Sequence, residues 1–272
     1  MTETRQRSTT MTWLLFTIVV VGAAWSWFAF DPGFRNPQES AADNIVSQAA
    51  FDQRVRDYLL ANPEVIVQSM QGLEARQRQA EATEAQTVLS SRADEVFRDP
   101  ESPVGGNPDG NVTMVEFFDY NCPYCRQVVP VMREAESGDP QLRIVYKEFP
   151  ILGPGSVFAA KAALAAHRQG QYTAFHTALM QAKGKVGEAT VLQAAAEVGL
   201  DTERLRKDMD DPKVQAAIDR NVALAQSLRI NGTPGFVIGD QILRGATDLQ
   251  TMKTLIAQAR ATTGTPLAEG KN

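Results

Sequence analysis

Cysteine and histidine are almost absent: the 272 residues hold two of each. Two cysteines cannot staple a disulfide scaffold, and so few histidines leave a structural zinc centre short of ligands. A surplus of basic residues is missing too. Lys and Arg number 27 against 32 Asp and Glu, a net charge of −5, which offers no footprint for a phosphate backbone and argues against nucleic acid as a partner. Glycine (19) and proline (14) are too sparse for a collagenous or low-complexity chain, while 43% hydrophobic residues suffice for a core. At about 150 residues per domain, the length predicts one main domain with a smaller one or an extension.

Residues 11–30 carry no charge, and all but Thr12, Thr17, Gly22 and Ser26 are apolar. That run is long enough to cross a bilayer. Arg5 and Arg7 precede it and Asp31 follows, which leaves the N-terminus in the cytoplasm and exports the remainder. Trp13 stands near one end and Trp25 and Trp27 near the other, as for aromatic residues at two membrane interfaces. The run is long for a signal core, and no clean small-x-small site follows it. Residues 1–30 therefore read as an uncleaved signal anchor in preference to a cleaved signal peptide. Either way the rest of the chain is expected to be periplasmic or otherwise extracytoplasmic, held at the inner membrane through residues 11–30.

Residues 31–98 read as a linker followed by an N-terminal helical region. Phe51, Val55, Tyr58 and Leu59 recur at helical spacing, and after the Asn62-Pro63 break Val65, Ile66, Met70 and Leu73 resume the stripe. From Glu74 to about Phe97 the chain is mostly Ala, Gln, Glu and Arg. These are good helix formers with little to bury, so the segment packs on the main domain, acts as a stalk, or associates with copies of itself. The second domain is placed at 99–272. Its order reads as a strand at 112–118, a helix, a strand at 142–146, a helical block over about 154–229, a hairpin of 235–238 with 242–244, and a last helix capped by Asp248.

Cys122 and Cys125 are the only cysteines, and two cysteines scattered at random would fall three apart with a chance of roughly 0.7%. Cys122 ends a strand and opens a helix, where free backbone amides and the helix dipole would stabilise a thiolate, so it is the expected nucleophile. Cys125 lies nearly one turn on, close enough to resolve a mixed disulfide into an intramolecular bridge. Pro123 sits early in the helix, where a missing N–H costs nothing. The chemistry expected is thiol–disulfide exchange, with the Cys122–Cys125 disulfide as its redox group and no metal or other cofactor. The competing reading is a stress protein binding copper(I) through the same two sulfurs. His167 and His176 lie more than forty residues away and read as ordinary polar helix residues.

The run Val115-Glu116-Phe117-Phe118-Asp119-Tyr120-Asn121-Cys122-Pro123-Tyr124-Cys125 resembles the active-site strand and helix start of DsbA-family thiol–disulfide oxidoreductases. Thr233-Pro234 before a strand resembles that family's cis-proline loop, Pro130 its helix-kinking proline, and the helical block its inserted domain. Residues 55–73 are similar to the N-terminal helices of the ScsC-like branch. The resemblance covers about residues 45–262. It implies an α/β thioredoxin fold with an inserted helical domain, preceded by the helical extension and the anchor. It implies Cys122 as attacking thiolate, Cys125 as resolving thiol, and Glu116 as a buried acid serving proton transfer at Cys125. An edge-strand carboxylate facing water is the other reading of Glu116. Pro123, Tyr124, Thr233 and Pro234 would meet the substrate.

The partners implied are exported cysteine-containing clients and a membrane redox partner, with homo-oligomerisation through the N-terminal helices in view. Tyr124 stands where the best-known strong oxidant of the family has histidine, so the oxidase, isomerase and reductase directions stay open. Pro-Tyr between the cysteines also occurs in glutaredoxins, but those lack an export segment and a large helical insertion.

Overall fold

The computed structural model describes residues 47–264. The expected anchor at 11–30, the linker at 31–42 and the polar tail beyond 264 lie outside the described residues. Among the described residues no helix is long and apolar enough to cross a membrane.

The chain divides into two compact units, 1–73 and 74–272. In the first, helix α1 (Gln48–Ala61) starts at Ser47, whose hydroxyl accepts from the Ala50 N–H, and stops at Asn62, whose side chain donates to the Tyr58 carbonyl. Pro63 has no N–H to continue the ladder, so helix α2 (Glu64–Ser91) begins afresh after it. The break is where the Asn62-Pro63 pair predicts it. Nothing in α1 is buried, and Phe51, Val55, Tyr58, Leu60, Ile66, Val67, Met70 and Leu73 are all exposed. Of the expected apolar stripe, Phe51, Val55, Tyr58, Ile66, Met70 and Leu73 are exposed, while Leu59 and Val65 are half-buried.

Within the second unit, the C-terminal part of α2 buries Ala85 and Leu89, and the short helix α3 (Ala93–Phe97) buries Val96. Of the three readings for residues 74–97, packing on the main domain holds for this stretch. Strand β1 (Val104–Gly106) follows, in the proline- and glycine-rich stretch at the start of the domain placed at 99–272. β2 (Val112–Phe118) leads into helix α4 (Pro123–Gly138), and β3 (Leu142–Glu148) into five helices. These are α5 (Pro154–His167), α6 (Tyr172–Gln181), α7 (Glu188–Glu197), α8 (Thr202–Met209) and α9 (Pro212–Ser227). β4 (Gly235–Ile238), β5 (Gln241–Arg244) and α10 (Leu249–Gly264) complete the unit.

The sheet order is β1-β3-β2-β4-β5. β2 and β3 run parallel, and β4 lies antiparallel to β2 with Glu116 opposite Phe236. β1 pairs antiparallel with β3, and β5 with β4. This is a thioredoxin-like α/β arrangement with a helical insertion.

Alternation along β2 assigns its side chains to two faces. Met114 and Phe118 join a core cluster with Val128 and Met132 of α4, Met252 and Ile256 of α10, and Phe175 and Leu179 of α6. Val115 and Phe117 join the opposite cluster with Leu89, Val96, Leu224 and Leu228. Glu116, between Met114 and Phe118, falls on the α4 side. Lys147 is fully buried. Its ammonium donates to the Glu95 carbonyl (2.8 Å) and to Asp99 (2.9 Å), tying residues 95–99 to β3. Burial pulls the Lys147 pKa down, while the bond to Asp99 works against that.

Because Leu89 is buried and Leu60 is not, truncating them should have unequal effects. Leu89→Ala is expected to cost about 3 kcal/mol in urea unfolding of the second unit, and Leu60→Ala less than about 0.5 kcal/mol.

Candidate active site

β2 is paired on both edges, so it must end inside the molecule, and a tight turn carries the chain into α4. Asp119 makes that turn. Its carboxylate accepts from the Asn121 N–H (2.7 Å) and from the N–H groups of Ile151 (2.8 Å) and Leu152 (2.9 Å), and its carbonyl accepts from the Cys122 N–H (3.0 Å). Cys122 is thereby the N-cap of α4, in extended backbone, with Pro123 in the first helical turn. The unpaired amides of the first turn and the positive end of the helix dipole lie beside it. Pro130 stands inside the same helix.

The Cys122 thiol donates to the carbonyl of Thr233 at 3.2 Å, a residue 111 positions away. The Thr233–Pro234 peptide bond is cis. Gly235 follows because a side chain there would collide with buried Ile230: a Cβ would come within 2.5 Å of the Ile230 Cγ2. The Pro234 carbonyl accepts from Gly245 N–H (2.8 Å), which fixes the loop to the end of β5.

Cys125 is fully buried one turn along α4, and both cysteines are free thiols. Burial pushes the Cys125 thiol far above its ordinary pKa, and Glu116 pushes in the same direction. Glu116 is 3% exposed on a central strand, which overturns the alternative of an edge carboxylate in water. Desolvation raises it from its ordinary 4.5 to about 8. It lines a cavity of about 70 Å³ with Arg133, Glu136, Tyr146, Thr173 and Thr177, which has room for a few water molecules.

Cys122, Cys125, Glu116, Thr233 and Pro234 thus converge, while Pro123 and Tyr124 are exposed on the turn of α4 that carries Cys122. Among the described residues no group of three or more His, Cys, Asp and Glu could hold a metal ion.

Other residues were not legible in the sequence. His176 is not an ordinary polar helix residue: it is buried against Phe118, Tyr146 and Tyr172, and its Nδ1 lies 3.2 Å from the Tyr120 hydroxyl. Burial lowers its pKa to about 3, so it is neutral. The hydroxyls of Tyr120 (3.0 Å) and Tyr172 (2.8 Å) both donate to one oxygen of Glu148, whose pKa burial pushes well above the ordinary range. A charged residue closing a buried strand is the signal that could have found Glu148, much as a charge inside an apolar strand singled out Glu116.

Two sequence families match. The DSBA-like thioredoxin domain covers residues 113–257, and the copper resistance protein ScsC N-terminal domain covers residues 48–80. Among solved structures, a thioredoxin-like oxidoreductase from Silicibacter pomeroyi DSS-3 is 52% identical, with TM-score 0.61, covering 62% of this chain and 97% of its own. The catalytic domain of Proteus mirabilis ScsC is 29% identical, with TM-score 0.60, covering 65% of this chain and 98% of its own. The curated relative Na(+)/H(+) antiporter NhaA 1 of Salinispora arenicola is 30% identical over 162 residues, which are 59% of this chain and 25% of the antiporter. The chain therefore spans about a quarter of that relative's length.

The raised pKa of Glu116 has a signed consequence for stability. The folded carboxyl keeps its proton up to about pH 8, whereas the unfolded one releases it near 4.5. Between those values the unfolded state binds fewer protons, so the contribution of Glu116 is full below 4.5 and is lost as pH rises through the folded pKa. In urea titrations over that window, the stability of the parent protein minus that of Glu116→Gln should fall by up to about 1.4 kcal/mol per pH unit. A flat difference would mean that Glu116 is ionised in the fold.

Proposed function

The chain belongs to the DsbA-like thioredoxin family of thiol–disulfide oxidoreductases, and on that premise we propose that it exchanges disulfides with exported cysteine-containing proteins through Cys122 and Cys125. The observation that carries this reading is the placement of Cys122. It caps α4, its sulfur touches the carbonyl before the cis-proline, and Cys125 and Glu116 lie behind it.

In the reducing direction, the Cys122 thiolate attacks one sulfur of a client disulfide, the other client sulfur leaves as a thiolate, and a mixed disulfide forms. In the molecules whose Glu116 is ionised, Cys125 loses its proton to that carboxylate and attacks the Cys122 sulfur, which releases the reduced client and leaves the Cys122–Cys125 disulfide. Two electrons pass to the client. In the oxidising direction the same steps run backwards, and Glu116 returns the proton to Cys125. A buried acid whose pKa is raised into the neutral range is suited to both roles. Thr233 and Pro234 supply the backbone surface on which a client strand lies, with Pro123 and Tyr124 at its edge. The redox group is the chain's own disulfide, and no further cofactor takes part.

The extracytoplasmic location rests on the charge-free run 11–30 as export segment and membrane anchor, which also places the protein near a membrane redox partner. Self-association through the N-terminal helices is supported by the exposed apolar residues of 51–73 and by the match of 48–80 to an ScsC N-terminal domain. The copper(I) reading is not favoured, since the family match lies with thiol exchange and no third ligand gathers at the two sulfurs among the described residues.

Cys122→Ser should abolish exchange, whereas Cys125→Ser should accumulate mixed disulfides with clients, seen as mass-shifted adducts that reductant removes. The reverse pattern would sink these roles. Equilibration against glutathione buffers, with light scattering on the same sample, then gives the direction. A strongly oxidising monomer is a disulfide donor, and a multimer of milder potential is an isomerase or reductase. Alkylation must report the redox state, because no tryptophan follows residue 27.

A further inference from the structure

Two loops lie side by side next to the turn that carries the cysteine pair, and side chains from one short stretch hold both: a Cβ on Gly155, just past the first loop, would come within 2.6 Å of the Val186 carbonyl on the second. Asp119 anchors Ile151 and Leu152 through their backbone N–H groups (2.8 and 2.9 Å). Asn121 clamps Val186, donating to its carbonyl (3.0 Å) and accepting from its N–H (2.8 Å), and donates to the Ser156 hydroxyl (3.0 Å) as well. Arg126 then donates to the carbonyls of Ala182 (3.0 Å) and Gly184 (2.8 Å). Asn121 immediately precedes Cys122 and Arg126 immediately follows Cys125, so the segment 182–186 is pinned alongside the reactive turn.

The side chains on the two loops differ in kind. Ile151 (41% exposed) and Leu152 (45%) are large apolar residues left open on the first loop, and Tyr124 (61%) is open on α4 between the cysteines. The pinned segment 182–186 instead presents Lys183 and Lys185, both exposed. Among the described residues neither has a carboxylate within ion-pairing distance, and Glu188, just beyond, is engaged by Arg206. The chain as a whole is acidic, at net −5. Two unpaired cations on backbone clamped beside a reactive cysteine run against that balance and are not needed to hold the loop, which Asn121 and Arg126 hold through main-chain atoms.

We propose that Lys183 and Lys185 are specificity-determining residues that select client segments carrying acidic side chains near the reactive cysteine, together with an apolar side chain that meets Tyr124, Ile151 and Leu152. This rests on the thiol-exchange reading given above. The attraction is between exposed charges, so it acts chiefly on the rate of productive encounter and weakens with ionic strength.

The test uses the reduced full chain and synthetic peptides whose single cysteine is held as a mixed disulfide with 2-thiopyridine. Cys122 attacks the peptide sulfur, thiopyridone leaves and is read by absorbance, and Cys125 then releases the peptide thiol. The peptides share a leucine on one flank and carry either two aspartates or two lysines on the other, each made in both orders. In low salt the aspartate peptide is expected to react about tenfold faster than the lysine peptide in at least one order. The ratio should fall toward one in Lys183→Glu/Lys185→Glu or in high salt, and to an intermediate value in Lys183→Gln/Lys185→Gln. A ratio near one in the parent protein, or a tenfold ratio that survives the double charge reversal, would overturn the inference while leaving thiol exchange intact. No reaction with any peptide would overturn the thiol-exchange reading and this inference with it.

Discussion

A seven-residue strand, buried on both faces and paired along both edges, is the constraint on which the rest of this molecule depends. β2 has no solvent edge, so its end is fixed by its neighbours rather than by its own turn. The chain that leaves it must satisfy its backbone groups within a few residues. Asp119 does this with one carboxylate and one carbonyl, and the result is a helix start whose first residue is Cys122. The parallel neighbour β3 brings in Ile151 and Leu152, and the antiparallel neighbour β4 brings in Thr233 and Pro234. Each component of the site is thus delivered by β2, or by residues next to the end of a strand hydrogen-bonded to it.

The same burial decides the state of the ionisable groups behind the cysteines. Glu116 and Glu148 are both carboxyls in a dry interior, where the charged form is penalised. Glu148 receives two tyrosine hydroxyls on one oxygen, which partly offsets that penalty and makes the group a junction between β3, the turn before Cys122 and the insertion helix α6. Glu116 has no such donors among the described residues. Its shift comes from desolvation alone, and the only polar surroundings it meets are those of a small cavity. A fixed, hydrogen-bonded carboxyl is suited to holding elements together, and one that lines a cavity is suited to gaining and losing a proton. Position on adjacent strands of one sheet, with different neighbours, separates the two duties.

What was legible in the sequence was local. Cys122 and Cys125 stand out by spacing, Asn62-Pro63 breaks a helix where it must, and Glu116 is conspicuous as a charge in an apolar run. β2, β3 and the hairpin at 235–244 show their β-branched and aromatic character directly. What was not legible depends on partners far along the chain. β1 is three residues with two glycines, and it is a strand only because β3 offers an open edge. Lys147 and Glu148 extend β3 beyond its apolar run, which they can do because Asp99 and Glu95 meet one, and Tyr120 and Tyr172 the other. His176 looks polar in a helical pattern, yet it is enclosed by rings from β2, β3 and its own helix. Asn121 and Arg126 pass for ordinary flanking residues until the segment 182–186, more than fifty positions away, is seen against them.

On the thiol-exchange reading proposed above, small differences at the site would set the direction of exchange. For a two-electron couple, about 30 mV of potential corresponds to about 1.4 kcal/mol, the scale of a single hydrogen bond or a partly screened charge. The fold holds Cys122, Cys125 and the cis-proline loop in place at a stability scale far larger than that. It therefore tolerates changes at Tyr124, at the rim of the cavity beside Glu116, or in the exposed helices of residues 48–73 without losing the site. Those positions lie outside the clamps made by Asp119, Asn121 and Arg126. On that reading the core would set what chemistry is done, and the exposed groups around it for which clients and in which sense, so one scaffold could serve donors and acceptors of disulfides alike.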